Sequence, residues 1–545
     1  MRIRLLILAF FFTAVSFAQL ELEHIYNDAV VTRVKFETWG EKYYLLRRAT
    51  NELVFYNADH TLWKTVVLPA SAPTMYTGTT IFHVSETEIN PDANIEILFG
   101  HYNHTGVYYE CKVVTDSGDV LATIPHAYWA TLNKIPGLPG KLITKNTLSL
   151  PLSKVYSLPE LNFEKAYNTG DINRINLENS GEKYYLLNKS TNQVQLYNAD
   201  HSEWKTVNLS KPGNAVYTEP GINFMSEKQI NGDGLLEIGY SYYSVAAGVY
   251  TYESKIVDES GNTLLALPAA SSLRIDLLEG APDKLFATMV HHDDMIGQYY
   301  ASNVYGLPEL ALEKEYETQV ARVVLENSGE KYYTSQNLTS GDVKIYNQDH
   351  TLWKTVSLNV QNGNNVSASV FCVSETKFAD DPLLEIGYCY VYHSPLMVDE
   401  WHGQLINEEG LTYLDLPDAQ SLTLSELPGL PNKLISTHAI PDTFGDTAYY
   451  HGEVYSIDAT MATDGFQNNI AVSLAPNPAA SLLQIHSNAR IVEAVLYNIS
   501  GSEVQHLNAP EINAIDVGQL ETGMYFLTLR DDSNQQSVHK VLVSH

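Results

Sequence analysis

The chain has 545 residues, 64 of them acidic and 33 basic, which gives a formal net charge of −31 at pH 7. Such an acidic surface repels phosphate backbones, and no Lys/Arg cluster offsets it, so nucleic acid is excluded as a partner. Three cysteines in this length exclude a disulfide framework. Cys372 and Cys389 lie in successive predicted strands, and whether they pair stays open.

The N-terminus has the order of a secretory signal peptide. Arg2 and Arg4 precede an apolar run, and Ser16-Phe17-Ala18 supplies a small-residue cleavage site. We assign residues 1–18 to this signal. No later stretch reaches the roughly 20 apolar residues that a spanning helix needs, so no transmembrane segment is predicted. The mature protein is expected to be exported.

A long repeat fills residues 19–458 in three copies. GEKYY begins at Gly40, Gly181 and Gly329, and the units cover about 27–167, 168–316 and 317–458. Short alternating runs rich in Tyr, Val, Ile and Leu are separated by Asn, Asp, Gly and Pro, which predicts strands and turns. In the second unit these runs form three groups of four strands, each as long as a propeller blade.

The first strand of the mature chain belongs to the end of this pattern. The second and third units are entered through LNFEKAY (161–167) and LALEKEY (310–316), each the last strand of the preceding group. The same strand stands at 20–26 as LELEHIY, where it can close a ring by joining the last group. The sequence therefore predicts an all-β fold, a β-propeller of nine four-stranded blades followed by a small C-terminal β-sandwich. Three tandem β-trefoil-like domains are the alternative.

The stretch YNADHTLWKTV (56–66) places Asp59 beside His60, and it returns with His201 and His350. An Asp–His pair near a tryptophan has the composition of a catalytic dyad. The sister groups, however, read TDSG, DESG and NEEG, with glycine at the histidine position. Because histidine tolerates a left-handed backbone, the pattern predicts a bulged hairpin turn in which histidine replaces glycine. No catalytic residue is assigned.

Two acidic patterns have metal-ligand composition. VHHDDM, His291 to Asp294, occurs in one unit, and adjacent residues of an extended segment point opposite ways, so it is interpreted as a polar hairpin turn. In three equivalent turns an aspartate precedes a glutamate by four residues, and the repetition favours turn formation over calcium binding. These pairs are Asp92 and Glu96, Asp233 and Glu237, and Asp381 and Glu385. No metal-binding residue and no cofactor is predicted.

The repeat stops after Ile457, and residues 459–471 form a small-residue linker. Residues 472–545 then alternate strands with Gly, Pro and Asn turns, typical of a small sandwich. The motifs PNP, LYNISGSEV, GMYFL and the lysine before VLVS resemble the type A sorting domain of type IX secretion. The positions that carry this resemblance are Pro476, Asn477, Pro478, Gly501, Gly523, Tyr525 and Lys540.

The resemblance implies recognition of this tail by the type IX secretion machinery of a Gram-negative bacterium. The protein would then be secreted, or held at the outer-membrane surface after the tail is cleaved or replaced by a lipopolysaccharide anchor. The repeat region also resembles the poorly characterised propeller-like repeats that precede such tails, and these carry no known chemistry.

Without a catalytic motif, the sequence favours a non-enzymatic binding or adhesion module for an unknown glycan or protein. The alternative is an extracellular hydrolase, a glycosidase-like propeller whose residues are scattered over several blades.

Overall fold

The computed structural model describes residues 19–27, 29–69, 78–90, 92, 94–102, 109–146, 152–293, 297–336, 338, 341–360, 366–379, 383–393, 399–441, 448–458, 472–476, 479–487, 489–498, 503–520, 523–532 and 536–544. The signal-peptide assignment at 1–18 lies outside these residues. Strands and turns make up the described chain, and none of it forms a helix long and apolar enough to cross a membrane.

The first repeat unit forms three four-stranded antiparallel sheets, numbered 1 to 3. Sheet 1 contains β2 (Thr32–Phe36), β3 (Gly40–Arg47), β4 (Glu52–Asn57) and β5 (Leu62–Val67). Sheet 2 contains β6 (Gly78–Ser85), β7 (Glu96–Tyr102), β8 (Tyr109–Thr115) and β9 (Val120–Pro125). Sheet 3 contains β10 (Ala127–Asn133), β11 (Lys141–Asn146), β12 (Ser153–Ser157) and β13 (Phe163–Tyr167).

The second unit repeats this order in sheets 4 to 6. Sheet 4 contains β14 (Asn173–Leu177), β15 (Gly181–Asn188), β16 (Gln193–Asn198) and β17 (Glu203–Asn208). Sheet 5 contains β18 (Val216–Ser226), β19 (Glu237–Ala246), β20 (Val249–Asp258) and β21 (Thr263–Pro268). Sheet 6 contains β22 (Ala270–Asp276), β23 (Lys284–Asp293), β24 (Gly297–Gly306) and β25 (Ala311–Glu315).

The third unit forms sheets 7 to 9, and its last sheet takes a strand from the start of the chain. Sheet 7 contains β26 (Val320–Leu325), β27 (Gly329–Thr334), β28 (Asp342–Asn347) and β29 (Leu352–Ser357). Sheet 8 contains β30 (Val366–Ser374), β31 (Glu385–His393), β32 (Asp399–Asn407) and β33 (Thr412–Pro417). Sheet 9 contains β34 (Ala419–Ser425), β35 (Lys433–Pro441), β36 (Ala448–Asp458) and, beside β36, β1 (Gln19–Tyr26).

Each sheet packs face to face on the next through its own apolar cluster. Eight clusters join sheets 1 and 2, 2 and 3, and so on to 8 and 9. A ninth cluster brings Tyr26 and Val454 of sheet 9 against Val31 and Tyr43 of sheet 1. The apolar contacts therefore run round a complete ring. Buried tyrosines fill much of the space between the sheets, which accounts for part of the tyrosine-rich composition.

Three arginines fasten the sheet that begins each unit to the sheet before it. Arg33 of sheet 1 donates hydrogen bonds to two carbonyl oxygens of sheet 9. One belongs to Ser425 at the end of β34 (2.9 Å), and the other to Pro431 in the loop that follows (2.8 Å). Arg174 reaches sheet 3 in the same way, and Arg322 reaches sheet 6. If each unit closed on itself, Arg174 would reach sheet 6 instead. The units share one ring.

The prediction of an all-β propeller is confirmed. Nine four-stranded sheets follow one another in chain order, and β1 completes the ninth. The alternative of three tandem trefoil-like domains is wrong, because the first sheet of each unit packs on the last sheet of the preceding one.

The remaining described residues form a separate β-sandwich. The chain divides into two compact units, Gln19–Ile457 and a second unit that contains Asp458–His545. In the second unit, two sheets enclose one apolar core that includes Leu483, Leu496 and Leu527. The first sheet contains β37 (Val472–Ala475), β38 (Leu482–Ser487) and β41 (Ala514–Asp516). The second contains β40 (Glu503–Asn508), β39 (Ile491–Asn498), β42 (Gly523–Asp531) and β43 (Gln536–Val543).

Candidate functional site: an aromatic cleft

The repeated Asp–His stretch forms the hairpin between the third and fourth strands of sheets 1, 4 and 7. The histidines have left-handed φ angles: 62° at His60, 65° at His201 and 63° at His350. The glycines of the sister turns share this region: 90° at Gly118, 84° at Gly261 and 83° at Gly410. The strand register shifts beside each histidine turn. The prediction that histidine replaces a turn glycine is confirmed.

The aspartate of the stretch serves its own turn. Asp59 Oδ1 accepts hydrogen bonds from the backbone N–H of Thr61 (3.0 Å) and from its hydroxyl (2.6 Å). Asp200 and Asp349 make the same two bonds in their turns. Trp63 packs against phenylalanine rings and lysine ammonium groups of sheet 1. Asp59 therefore stabilises its own turn, and Trp63 packs within sheet 1, in agreement with the turn interpretation.

The histidine side chain links one sheet to the next, a role that comparison of the turns did not reveal. His60 Nδ1 lies 2.7 Å from the Tyr26 hydroxyl, and Nε2 lies 3.4 Å from the Glu23 carboxylate, which also binds Lys433. Burial lowers the pKa of His60. The other two histidines repeat the arrangement at the junctions of sheets 3 and 4 and of sheets 6 and 7. The corresponding sets are Tyr167, His201, Glu164 and Lys141, and Tyr316, His350, Glu313 and Lys284.

The glutamates that follow the predicted acidic turns are fully buried at the start of their strands, all three with 0% exposure. Glu385 accepts hydrogen bonds from the backbone N–H groups of residues 377–379. N–H donors repel a cation, so this environment opposes calcium. The carboxyl groups of Glu96 and Glu237 lie beside the backbone of Asn90 and the side chain of Asp233, respectively.

The aspartates of these turns bond to their own backbone. Asp92 accepts a hydrogen bond from the N–H of Asn94 and Asp233 one from the N–H of Leu235, both at 2.8 Å. Asp381 lies outside the described residues. These bonds agree with the turn-forming interpretation.

Replacing Glu237 with glutamine is expected to flatten the pH dependence of stability. Burial, and then the carboxylate of Asp233, raises the pKa of Glu237 to about 8. Between pH 5 and 8 the folded state therefore retains a proton that the unfolded state releases, and stability falls as pH rises. One such group changes the free energy of unfolding by up to about 1.4 kcal/mol per pH unit. Thermal midpoints of the parent and of Glu237→Gln at pH 5, 6.5 and 8 test this prediction. An identical dependence of the midpoint on pH in the two proteins would contradict it.

The three cysteines are free. Cys372 on β30 lies opposite Gly387, and Cys389 on β31 lies opposite Ser369. The two cysteines are therefore not directly opposite one another, and no disulfide joins them.

An aromatic cleft of about 490 Å³ lies between sheets 5 and 6, where the hairpins β19–β20 and β23–β24 meet. Tyr250 is 52% exposed at its edge. The rings of Tyr250 and Tyr252 are stacked, with centroids 6.4 Å apart, and both pack against Tyr243. The full lining is Gly248, Val249, Tyr250, Thr251, Tyr252, Pro268, Ala269, Val290, His291, His292 and Gln298.

Polar side chains of sheet 6 form the opposite wall. His291 and His292 come from VHHDDM and lie near the end of β23. The His291 ring stacks on Tyr299, with centroids 5.1 Å apart. Gln298 donates a hydrogen bond to the Tyr300 hydroxyl (2.7 Å). His291 and His292, interpreted from the motif as part of a hairpin turn, lie in strand β23, and Asp294 lies outside the described residues. Their place in a cleft was not predictable, because the facing wall belongs to another sheet.

A group able to hold a metal ion lies elsewhere, on sheet 9. It consists of His438, His451 and Glu453, whose ligand atoms all lie within 4.8 Å of one another. No sequence motif predicted it, because its members belong to two strands and 15 residues separate the first from the last.

The sorting residues are only partly described. Tyr525 on β42 is buried with 7% exposure in the sandwich core, and Gly523 begins the same strand. Pro476 is exposed after β37, and Lys540 lies in β43. Asn477, Pro478 and Gly501 lie outside the described residues. Their role in sorting remains a prediction.

Comparison with known families identifies the C-terminal unit. Residues 473–544 match the family described as the secretion system C-terminal sorting domain. The chain is thus an exported β-propeller protein that carries a type IX sorting tail, and its destination is the extracellular medium or the cell surface. No curated protein matches the chain.

Solved structures similar to this chain are distant in sequence. The Dos1 propeller is 10% identical over 81% of this chain and 96% of its own, with a TM-score of 0.35. BamB from Moraxella catarrhalis is 8% identical over 70% and 99%, with a TM-score of 0.33. The V. cholerae biofilm matrix protein Bap1 is 10% identical over 81% and 91%, with a TM-score of 0.29. The fold assignment rests on the ring of sheets itself.

Proposed function

We propose that this protein is an extracellular binding module that holds a neutral glycan in the cleft between sheets 5 and 6 and does not hydrolyse it. The observation that carries the proposal is the concave wall of partly exposed, mutually stacked tyrosines facing imidazole and amide groups. An exposed apolar surface rimmed by polar groups marks a binding site.

The chemistry of the cleft suits a sugar. Tyr250 and Tyr252 offer ring faces to the C–H face of a pyranose, and their hydroxyls can donate or accept hydrogen bonds. His291, His292 and Gln298 add donors and acceptors for sugar hydroxyls. The net charge of −31 disfavours anionic polysaccharides, so the ligand class is a neutral glycan.

Two observations weigh against the alternative of a glycosidase-like hydrolase. Glycosidases generally use a pair of carboxylates, and no described residue lining the cleft is Asp or Glu. Ser436, His438 and Glu453 resemble a catalytic triad in composition. Ser436 and Glu453, however, both approach the same nitrogen of His438, and Ser436 is completely buried.

The proposal assigns a role to each part of the chain. Residues 1–18 direct passage through the inner membrane, and residues 19–458 form the binding propeller. Residues 459–471 link the propeller to residues 472–545, which direct the last export step. Within the tail we assign recognition by the secretion machinery to the seven sorting positions, among them Gly523, Tyr525 and Lys540.

Replacing Tyr250 with alanine is expected to weaken glycan binding about tenfold or more, because a stacking surface at the edge of the cleft is lost. Binding of the mature protein to an array of neutral oligosaccharides, followed by titration with the best ligand, measures the effect. Tyr450→Ala is the matched control, since Tyr450 is 44% exposed on sheet 9. If both variants bind like the parent, the cleft is not the glycan site.

A further inference from the structure

We propose that His438, His451 and Glu453 bind one divalent transition-metal ion, zinc foremost, on the face of sheet 9 that packs against sheet 8. The strand register brings the three together. His438 on β35 lies opposite His451 on β36, and Glu453 lies two residues further along β36, so all three share one face. His438 also lies opposite Ala419, whose side chain packs on sheet 8.

Two of the three separations are close to those of ligands on a single ion, and all three ligand atoms lie within 4.8 Å of one another. Glu453 Oε2 lies 3.2 Å from His438 Nε2, and Glu453 Oε1 lies 3.6 Å from His451 Nε2. Two ligand atoms bound to zinc at about 2.1 Å with tetrahedral angles are about 3.4 Å apart. Two imidazoles and one carboxylate leave a fourth position open for water or another ligand.

Neighbouring groups hold the ligands in place. Tyr455 donates its hydroxyl hydrogen to Glu453 (2.5 Å). Ser436 Oγ lies 2.8 Å from His438 Nε2, the atom that would bind the ion, so this hydroxyl contact gives way when the ion binds. The backbone carbonyl of Pro417, on sheet 8, accepts a hydrogen bond from the His438 ring. Such outer contacts orient metal ligands. Among the described residues the buried Nδ1 of His451 has no partner, which leaves that ring free to turn.

The repeat fold does not require these three ligands. Equivalent positions of sheets 9, 6 and 3 can be identified from a lysine that contacts the glutamate of the outermost strand in each sheet. These lysines are Lys433, Lys284 and Lys141. The positions of the three ligands are occupied by Met289, Ala301 and Asn303 in sheet 6 and by Asn146, Leu152 and Lys154 in sheet 3. The fold is thus built without them in two of three units.

Binding also requires one ring to turn. The two imidazole rings are stacked, with centroids 4.3 Å apart and planes inclined by 12°, so their lone pairs lie in nearly parallel planes. His438 is buried and held by Pro417, whereas the His451 side chain is 18% exposed. His451 is therefore the ring that turns so that both lone pairs converge on the ion.

Titration of the metal-free mature protein with Co²⁺ tests the site, because Co²⁺ in a four-coordinate nitrogen and oxygen site shows strong visible absorption. We expect one equivalent to bind and Zn²⁺ to displace it. His451→Gln and Glu453→Gln are expected to weaken binding by at least about 100-fold, since loss of even an outer contact costs 10- to 100-fold. His402→Gln is the matched control, because its side chain is 17% exposed beside Asp415 and, among the described residues, belongs to no three-ligand group.

Thermal melting of each variant without metal establishes that the propeller is folded, and Zn²⁺ is expected to raise the midpoint of the parent and of His402→Gln only. Calcium is expected to leave the midpoint of every variant unchanged, because calcium prefers oxygen ligands. Equal Co²⁺ affinity in the parent and in Glu453→Gln would overturn the proposal. So would equal stabilisation by Ca²⁺ and Zn²⁺, which would indicate diffuse attraction to the acidic surface.

Discussion

Removal of residues 472–545 is expected to leave the protein in the periplasm of a bacterium with type IX secretion, with loss of nearly all export. The N-terminal signal would still direct passage across the inner membrane, and the tail that the secretion system recognises would be gone. Immunoblots of periplasm, medium and cell surface measure the distribution.

The compact division of the chain makes this deletion interpretable. The propeller and the tail are separate units, and each has its own apolar core. The truncated protein should therefore resist protease as the parent propeller does. Joining residues 459–545 to an unrelated periplasmic protein should send that protein out of the cell. Normal export of the truncated chain would refute the assignment of the tail.

The second large effect concerns the point where the ring closes. Tyr26→Ala is expected to destabilise the propeller more than Tyr167→Ala or Tyr316→Ala. The three tyrosines are buried alike, and each hydroxyl lies 2.7 Å from a turn histidine. Loss of a large buried aromatic side chain costs about 3–5 kcal/mol in each case.

The additional cost at Tyr26 comes from chain connectivity. The strands carrying Tyr167 and Tyr316 follow their neighbours through short turns, whereas β1 meets β36 from the far end of the sequence. If β1 detaches, the edge of β36 opens and exposes unpaired backbone groups. Thermal midpoints and limited proteolysis compare the three variants. Equal losses would show that β1 does not hold the ring closed.

Much of the ring was predictable because its determinants are local and repeated. The same turn appears six times with histidine or glycine at one position, and only a left-handed backbone explains both. The spacing of Glu23 and Tyr26 recurs at 164 and 167 and at 313 and 316, which also identifies the displaced strand. The side-chain partners of the turn histidines carried a readable pattern too, since the E-x-x-Y motif accompanies each of them.

The sites were not predictable because they depend on contacts between sheets or between paired strands. Tyr250 and His291 line one cleft from different sheets, and His438 and Glu453 meet through strand pairing rather than sequence spacing. Comparison of the three repeat units identifies only the residues that the units share. The side chains of the two sites differ between units, and their proximity becomes visible only when the strands are placed in register.

On the proposal above, the propeller binds a neutral glycan and leaves it intact. Mass spectrometry of the best-binding oligosaccharide, after prolonged incubation with the mature protein or with its Tyr250→Ala variant, tests both halves when combined with a binding titration. We predict tight binding by the parent, binding at least about tenfold weaker by the variant, and an unchanged ligand mass in both. Cleaved products that form with the parent would show that the protein is a hydrolase. Undiminished binding by the variant would show that Tyr250 is not part of the glycan site.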